Sequence, residues 1–241
     1  MRTRIAQAYP DRVEVRGRDL TGDLMGRLTF TELFYLLLTG EEPTEEQRYF
    51  LDVLLVSIAE HGLMPSNAAA RMTLAADPDS LQGAVAAGIL GAGHVVLGAS
   101  EDCARLLEQN VGREPLGVAQ EIHASGERIP GFGHPVHSPV DPRAERILEL
   151  ADERGVSGPH TALAVGLRDA VPEAWGKPLT MNVSMPIASV LLDLGFPSAA
   201  VKGVPILART AGLLAHLAEE QVDPIGFELA AKAEEAVDYE R

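Results

Sequence analysis

The chain has 241 residues and a formal charge of −15, and 46% of its residues are hydrophobic while only 5% are aromatic. So acidic a chain is a poor partner for nucleic acid or an anionic membrane surface, and an anionic small molecule must be held by local Arg and Lys against that field. One cysteine, Cys103, excludes an intrachain disulfide framework and a cysteine-clustered zinc site, and it reads as half-buried helix filler.

A core of Leu, Ala and Val suits helices better than sheet, so the expected fold class is all-α, with residues 1–241 forming a single compact domain. Met1-Arg2-Thr3-Arg4-Ile5-Ala6-Gln7 lacks an apolar leader pattern and no 18-residue apolar run is expected, which points to a cytoplasmic protein. Residues 1–20 read as an extended N-terminal arm with a short strand pair around Val13-Glu14-Val15, turning at Arg16-Gly17. Thr29 and Glu32 form a capping box for a helix stopped by Gly40, and Thr44 and Gln47 form a second box for a helix to about Ala59. Glu60 to Asn67 is a break in which Ser66 or Asn67 caps a helix to Ala76. The Gly/Ala-rich run from Gln82 to Gly93 lets helices approach closely, so it belongs to the core or to a subunit contact. Further helices are predicted near 98–109, 116–125, 142–154, 160–170 and 187–192. A long one follows to about Glu220, interrupted near Gly203 or Pro205, and the last spans about 227–237.

The stretch Ile129-Pro130-Gly131-Phe132-Gly133-His134 through Asp141-Pro142-Arg143 stands apart. Two glycines flank Phe132, so the backbone there can take positive φ or approach a ligand closely. His134 follows directly, and Arg143 lies on the first turn of a helix with Pro142 at its first position. Such a segment can present amides, an imidazole and a guanidinium to one small anion; a plain Gly/Pro connector is the alternative. Elsewhere, His61 at a helix end reads as a dipole cap or a ligand-binding group. Arg209 on an apolar helix needs a partner, either a ligand carboxylate or an internal acid. Asn182 and Ser184 precede a helix, with Ser184 read as its N-cap.

Pro130-Gly131-Phe132-Gly133-His134 followed by Asp141-Pro142-Arg143 resembles the G-x-G-H…D-P-R signature of the citrate synthase superfamily, closest to its short citryl-CoA lyases and to the lyase domain of ATP-citrate lyase. The resemblance runs in order from about Gly22 to Gly226. It implies a citrate synthase-like helical fold and catalytic roles for His134, His61 and Ser184. His134 would act on the oxaloacetate carbonyl or the citryl hydroxyl. Glu60-His61-Gly62 resembles the family's D-H-E or D-H-G, whose His contacts the four-carbon acid. Arg143, Arg209 and Asn182 would bind substrate, and the backbone of Ile129, Pro130, Gly131, Phe132 and Gly133 would cradle the adenine end of coenzyme A.

Asn182-Val183-Ser184 stands where the family has N-V-D, so the usual basic Asp is replaced by a hydroxyl that is no base without activation. Val96 stands where synthases carry the first His of H-G-G-A-N; the lyase domain of ATP-citrate lyase also lacks it. His94 could substitute only if the helix end is rearranged. Pro135 replaces a frequent Arg, and His137, His123, His160 and His216 read as structural or exposed. The implied reaction is cleavage or formation of citryl-CoA, or a related 3-hydroxy-3-carboxyacyl-CoA, giving acetyl-CoA and oxaloacetate. It uses a coenzyme A thioester as substrate, without metal or permanently bound cofactor, in a homodimer or higher homo-oligomer. The Arg that a neighbouring subunit supplies in synthases has no match near Val222-Asp223-Pro224. Two rivals remain: a family enzyme for a different acyl-CoA with altered acid–base groups, and a non-catalytic acyl-CoA or carboxylate binding protein.

Overall fold

A computed structural model describes residues 1–240. It is 64% helical, with eleven α-helices, as the all-α expectation requires. The N-terminal arm adds a small antiparallel sheet, β1 (Ala6–Ala8), β2 (Val13–Val15) and β3 (Arg18–Asp19), with Ala6 opposite Val15 and Val15 opposite Arg18. Arg16 and Gly17 both take positive φ between β2 and β3, the twist a two-residue hairpin turn needs. Val15 and Leu24 then close a small satellite core against Leu36 of the first helix.

α1 (Phe30–Thr39) and α2 (Glu45–Ala59) each start at the expected capping box, with side chain and backbone bonded reciprocally. α3 (Pro65–Ala76) starts earlier than expected. Its N-cap is Met64, and Ser66 and Asn67 are buried inside the first turn. Pro65 decides this, because its fixed φ and missing N–H suit the first helical position.

α4 (Leu81–Leu97) and α5 (Ala99–Asn110) follow one another almost without a break, although Gly93 takes φ 57° and ψ −165° inside α4. Contrary to the sequence expectation, this stretch is long and apolar enough by length and composition to cross a membrane, with mean hydropathy 1.5. One face of α4 packs on α3 and α10, and Gly88 sits where a Cβ would strike Leu213 and Ala70. That explains the density of small residues on that face.

α6 (Pro115–Ser125), α7 (Pro142–Glu153) and α8 (Pro159–Trp175) each open on proline, and α8 runs past its expected end through Pro172. α9 (Ser184–Asp193) is buried along most of its length and is the central helix, with α2, α5, α7 and α8 packed around it. Ser184 is not the N-cap expected for it. Val183 holds that position, and the Ser184 amide is satisfied by Asn182 Oδ1 at 3.0 Å, so the capping oxygen comes from two residues earlier. α10 (Gly203–Val222) begins at the glycine where an interruption was expected, after a 3₁₀ turn at Ser198–Ala200, and α11 (Gly226–Glu235) ends the helical part. Cys103, expected half-buried, is fully buried. α10 crosses the end of α2, and α7 starts beside the start of α9. Those two junctions hold the candidate site.

Candidate active site

The Gly/Pro-rich loop is held by backbone pairing. Gly133 N–H donates to Thr180 O at 2.7 Å, and Asn182 N–H donates to Gly131 O at 2.8 Å, forming a short antiparallel bridge between Phe132 and Met181. Asn182 adds a side-chain bond from Nδ2 to Gly133 O at 3.0 Å. Both ends of that amide are therefore committed to the loop and to Ser184. Gly131 takes φ 77°, and a Cβ on it would lie 2.8 Å from Cys103 Sγ and 2.9 Å from Met185. Ile129 is buried in the core, so this segment offers a ligand its backbone rather than its aliphatic side chains. We expect Gly131→Ala to cost roughly 2–4 kcal/mol in a denaturant melt, from overpacking and the left-handed backbone together.

The loop ends at Asp141, a fully buried carboxylate that caps α7. It accepts from Arg143 Nε at 3.0 Å, from Arg143 Nη2 at 2.8 Å and from the Val183 amide at 3.1 Å. Burial alone would raise this carboxyl, but Arg143 and the two amides outweigh it and hold it below the usual carboxylate range. Asp141 thus aims Arg143 and ties the start of α7 to the start of α9. Arg143 Nη1 makes no hydrogen bond among the described residues.

His134 lies against this guanidinium, with Nε2 3.3 Å from Arg143 Nη2. Its Nδ1 accepts from the Val136 and His137 amides at 3.1 and 2.9 Å, so the ring proton belongs on Nε2. Partial burial, then the neighbouring His137 and Arg143, push its pKa down, and the ring is neutral near pH 7. Nε2–H and Nη2–H are both donors, so one anionic or carbonyl oxygen placed between them satisfies both. His137, expected to be structural or exposed, stacks on His134 with ring centroids 4.4 Å apart. His134, His137 and Asp141 each bring a metal-ligand atom within 4.8 Å of the others. That set does not fit a cation, because Arg143 already fills Asp141 and two amides fill His134 Nδ1.

His61 follows the end of α2 and meets Arg209 from the middle of α10. Arg209 is 2% exposed, and its Nε has no hydrogen-bond partner among the described residues. Among the described residues its Nη atoms reach only His61 Nδ1, at 3.3 and 3.4 Å, and Glu60 Oε2 at 3.9 Å. Guanidinium donors require Nδ1 to accept, so the His61 proton also sits on Nε2. The residue as a whole is exposed, yet desolvation of the ring, Arg209 and Arg143 together push its pKa down to about 4. By NMR, we expect His61 to stay neutral below the range of an ordinary imidazole, and Arg209→Gln to move its titration upward. An unchanged titration in the variant would separate the two residues. Two neutral Nε2–H donors and two guanidiniums thus lie within electrostatic reach of one another, an arrangement suited to a carbonyl oxygen flanked by carboxylates.

Comparison with known proteins shows the family. Residues 2–226 fit the citrate synthase C-terminal domain family. The chain belongs to that family. The citryl-CoA lyase of Hydrogenobacter thermophilus is 33% identical with a TM-score of 0.91, and the match covers 100% of this chain and 94% of that one. An ATP citrate lyase of Methanothrix soehngenii, solved in complex with citrate and coenzyme A, shares the fold at 22% identity and a TM-score of 0.85, over 100% of this chain and 42% of its own. The citrate synthase of Synechocystis sp. is 32% identical over 201 residues, 80% of this chain and 50% of that protein. This chain spans about half the length of the curated citrate synthases it matches.

Against the pattern expected for a citrate synthase relative, the structure pairs His61 with Arg209 and His134 with Arg143, and Arg143 and His134 are near enough to act electrostatically on His61. Ser184 starts α9 one residue after the Val183 amide held by Asp141, and its hydroxyl bonds to nothing among the described residues. His94 does not join the site. Its Nε2 pairs with Asp102 Oδ2 at 3.0 Å, and the ring folds back over Gly98. Sequence reading treated Asp141 only as a helix start and Glu60 only as part of a motif. It set His216 aside, yet Arg209, Gly212, His216 and Glu220 recur at helical spacing along one face of α10. Three polar residues on such a face were the available signal.

Proposed function

We propose that this chain is a citryl-CoA lyase-type enzyme, a single-domain member of its family that cleaves citryl-CoA or a related 3-hydroxy-3-carboxyacyl-CoA to acetyl-CoA and oxaloacetate. The observation that carries this reading is Arg209: a guanidinium 2% exposed, with Nε unpartnered, beside a neutral imidazole. A buried cation so poorly paired calls for an anion, and a substrate carboxylate supplies one. The 33% identity to the Hydrogenobacter citryl-CoA lyase over the whole of this chain, with a TM-score of 0.91, supports the lyase side of the family.

Arg143 and Arg209 hold carboxylates of the acid moiety, and His61 Nε2–H donates to it. His134 Nε2–H holds the oxygen that is a hydroxyl in the substrate and a ketone in the product. As the carbon–carbon bond breaks, the hydroxyl loses its proton and the carbonyl forms. The electron pair leaves on the thioester as an enolate, which takes one proton at carbon to become the acetyl group. His134 Nδ1 is occupied by two amides, so water receives and returns the proton while this tautomer holds. The backbone of residues 129–133 lies against the adenine end of coenzyme A. The protein works, in this reading, as a cytoplasmic homodimer or higher oligomer, with the coenzyme A thioester as its substrate and no resident cofactor.

Ser184 favours a second reading, a family enzyme for another acyl-CoA. A positioned general base is worth about 10²–10⁴-fold, and Ser184 offers none. One experiment separates the two: citryl-CoA cleavage, read as oxaloacetate release, by wild type and by Ser184→Asp. Wild-type turnover supports the lyase. Turnover only in Ser184→Asp assigns the wild-type site to a different ester. Coenzyme A binding with no turnover of any hydroxyacyl-CoA by either protein would mean a binding protein.

A further inference from the structure

A chain of polar side chains leads from the far end of α10 to the candidate site. The Glu220 carboxylate, 3% exposed, accepts from the Ile225 and Gly226 amides at 3.1 and 2.7 Å and from Arg71 Nη1 at 3.1 Å. Arg71 also pairs with Glu219 and donates from Nε to His216 Nδ1 at 3.2 Å. With Nδ1 accepting, the His216 proton is assigned to Nε2, which lies 3.1 Å from Glu60 Oε2, its acceptor, and 2.8 Å from Asn67 Nδ2. The other Glu60 oxygen accepts from the His61 and Gly62 amides, both at 2.8 Å. Asn67, fully buried, donates from Nδ2 to Gly62 O at 2.9 Å and closes the same turn. Gly212 allows this crowding, because a Cβ there would lie 2.1 Å from Ala59 O and 2.9 Å from Glu60 Oε2.

The consequence concerns Arg209. Glu60 is the only carboxylate among the described residues within ion-pair reach of that guanidinium, and it stops at 3.9 Å. An unrestrained carboxylate would close to a charge-assisted hydrogen bond at about 2.8 Å. One Glu60 oxygen is held by two amides and the other by His216 at 3.1 Å, with Asn67 Nδ2 at the longer distances of 3.2 and 3.3 Å from the two oxygens, so His216 is the shortest restraint on the oxygen nearest Arg209. We propose that His216 is a positioning residue: it restrains Glu60 so that Arg209 stays open to a carboxylate ligand. Without His216, Glu60 becomes an internal substitute for the substrate's carboxylate. Its role is to prevent self-inhibition of the acid-binding half of the site. The choice of ligand in the test rests on the lyase reading; the restraint of Glu60 does not.

The test measures oxaloacetate binding by calorimetry to wild type, His216→Leu and the double variant His216→Leu/Glu60→Gln. The expected result is a loss of roughly tenfold or more in affinity for His216→Leu, the scale of one charge-assisted hydrogen bond. Adding Glu60→Gln then restores affinity, because the competing charge is gone. A structural role for His216 predicts the opposite order, with the double variant weakest. Wild-type affinity in His216→Leu, or further loss in the double variant, overturns the proposal. His216→Thr takes the place of His216→Leu if the latter does not fold, since Thr keeps a polar atom but cannot bridge Glu60 and Arg71. A wild type that does not bind oxaloacetate sinks the lyase reading instead. The restraint is then read from His61 by NMR. Once Glu60 neutralises Arg209, the His61 titration rises from near 4 in His216→Leu, and an unmoved titration refutes the restraint.

Discussion

On the proposed lyase reading, replacing His134 by Ala is expected to lower citryl-CoA turnover by about 10²–10⁴-fold, the usual worth of a positioned acid–base or electrophilic group. The loss should fall on kcat more than on KM. In the substrate the reacting oxygen is a hydroxyl with its own proton. As the carbon–carbon bond breaks, that oxygen carries developing charge, and the Nε2–H donor gains strength only then. Coenzyme A affinity should hold, because the 131–133 backbone is pinned by Thr180 and Asn182, not by the imidazole. The melting temperature should stay close to wild type, since the ring is only partly buried and its Nδ1 bonds reach just Val136 and His137. A His134→Ala enzyme that keeps wild-type kcat would remove His134 from the chemistry and leave Arg143 to polarise the oxygen alone.

The helices were largely legible because their signals are local. Capping boxes at Thr29 and Thr44, prolines at 115, 142 and 159, and glycines at 40 and 195 each act within one turn of the boundary they set. Where two local signals compete the reading slipped, as at Pro65 against Ser66, or Asn182 against Ser184. In both places the earlier residue won, by supplying a fixed φ in one case and a capping oxygen in the other. The site was legible as a set of residue types but not as a geometry. His61 and Arg209 are far apart in sequence, and nothing local indicates that α10 crosses the end of α2 at Gly212. Asp141 escaped for a related reason. An aspartate before proline already has a sufficient explanation as a cap, so its bonds to the Arg143 side chain and to Val183 add nothing visible in one dimension. His216 looked ordinary because its partners lie on α3 and at the end of α2.

Asp141→Asn should be the most destabilising single change in the site. The carboxylate has no exposed surface and meets four donors: the Arg143 amide, Nε and Nη2, and the Val183 amide. An asparagine keeps one acceptor oxygen and turns an NH₂ group toward N–H donors, leaving Arg143 without its counter-charge. Breaking a buried pair from one side costs roughly 3–5 kcal/mol, which for a chain of this size lowers the melting temperature by roughly 10 °C or more. The pH dependence follows from the lowered carboxyl. Folded Asp141 stays charged below the pH at which the unfolded chain takes up its proton. Its stabilisation is therefore complete above the ordinary aspartate value and fades as pH falls toward the lower folded value. Wild type should lose more stability than Asp141→Asn between pH 5 and pH 3, values set on the scale of about 3.9 for an unperturbed aspartate. Denaturant melts across that range measure it. Parallel curves for the two proteins would show that Arg143 is held by its helix alone. Converging curves would show that one buried carboxylate fixes both the junction of α7 with α9 and the guanidinium that faces His134.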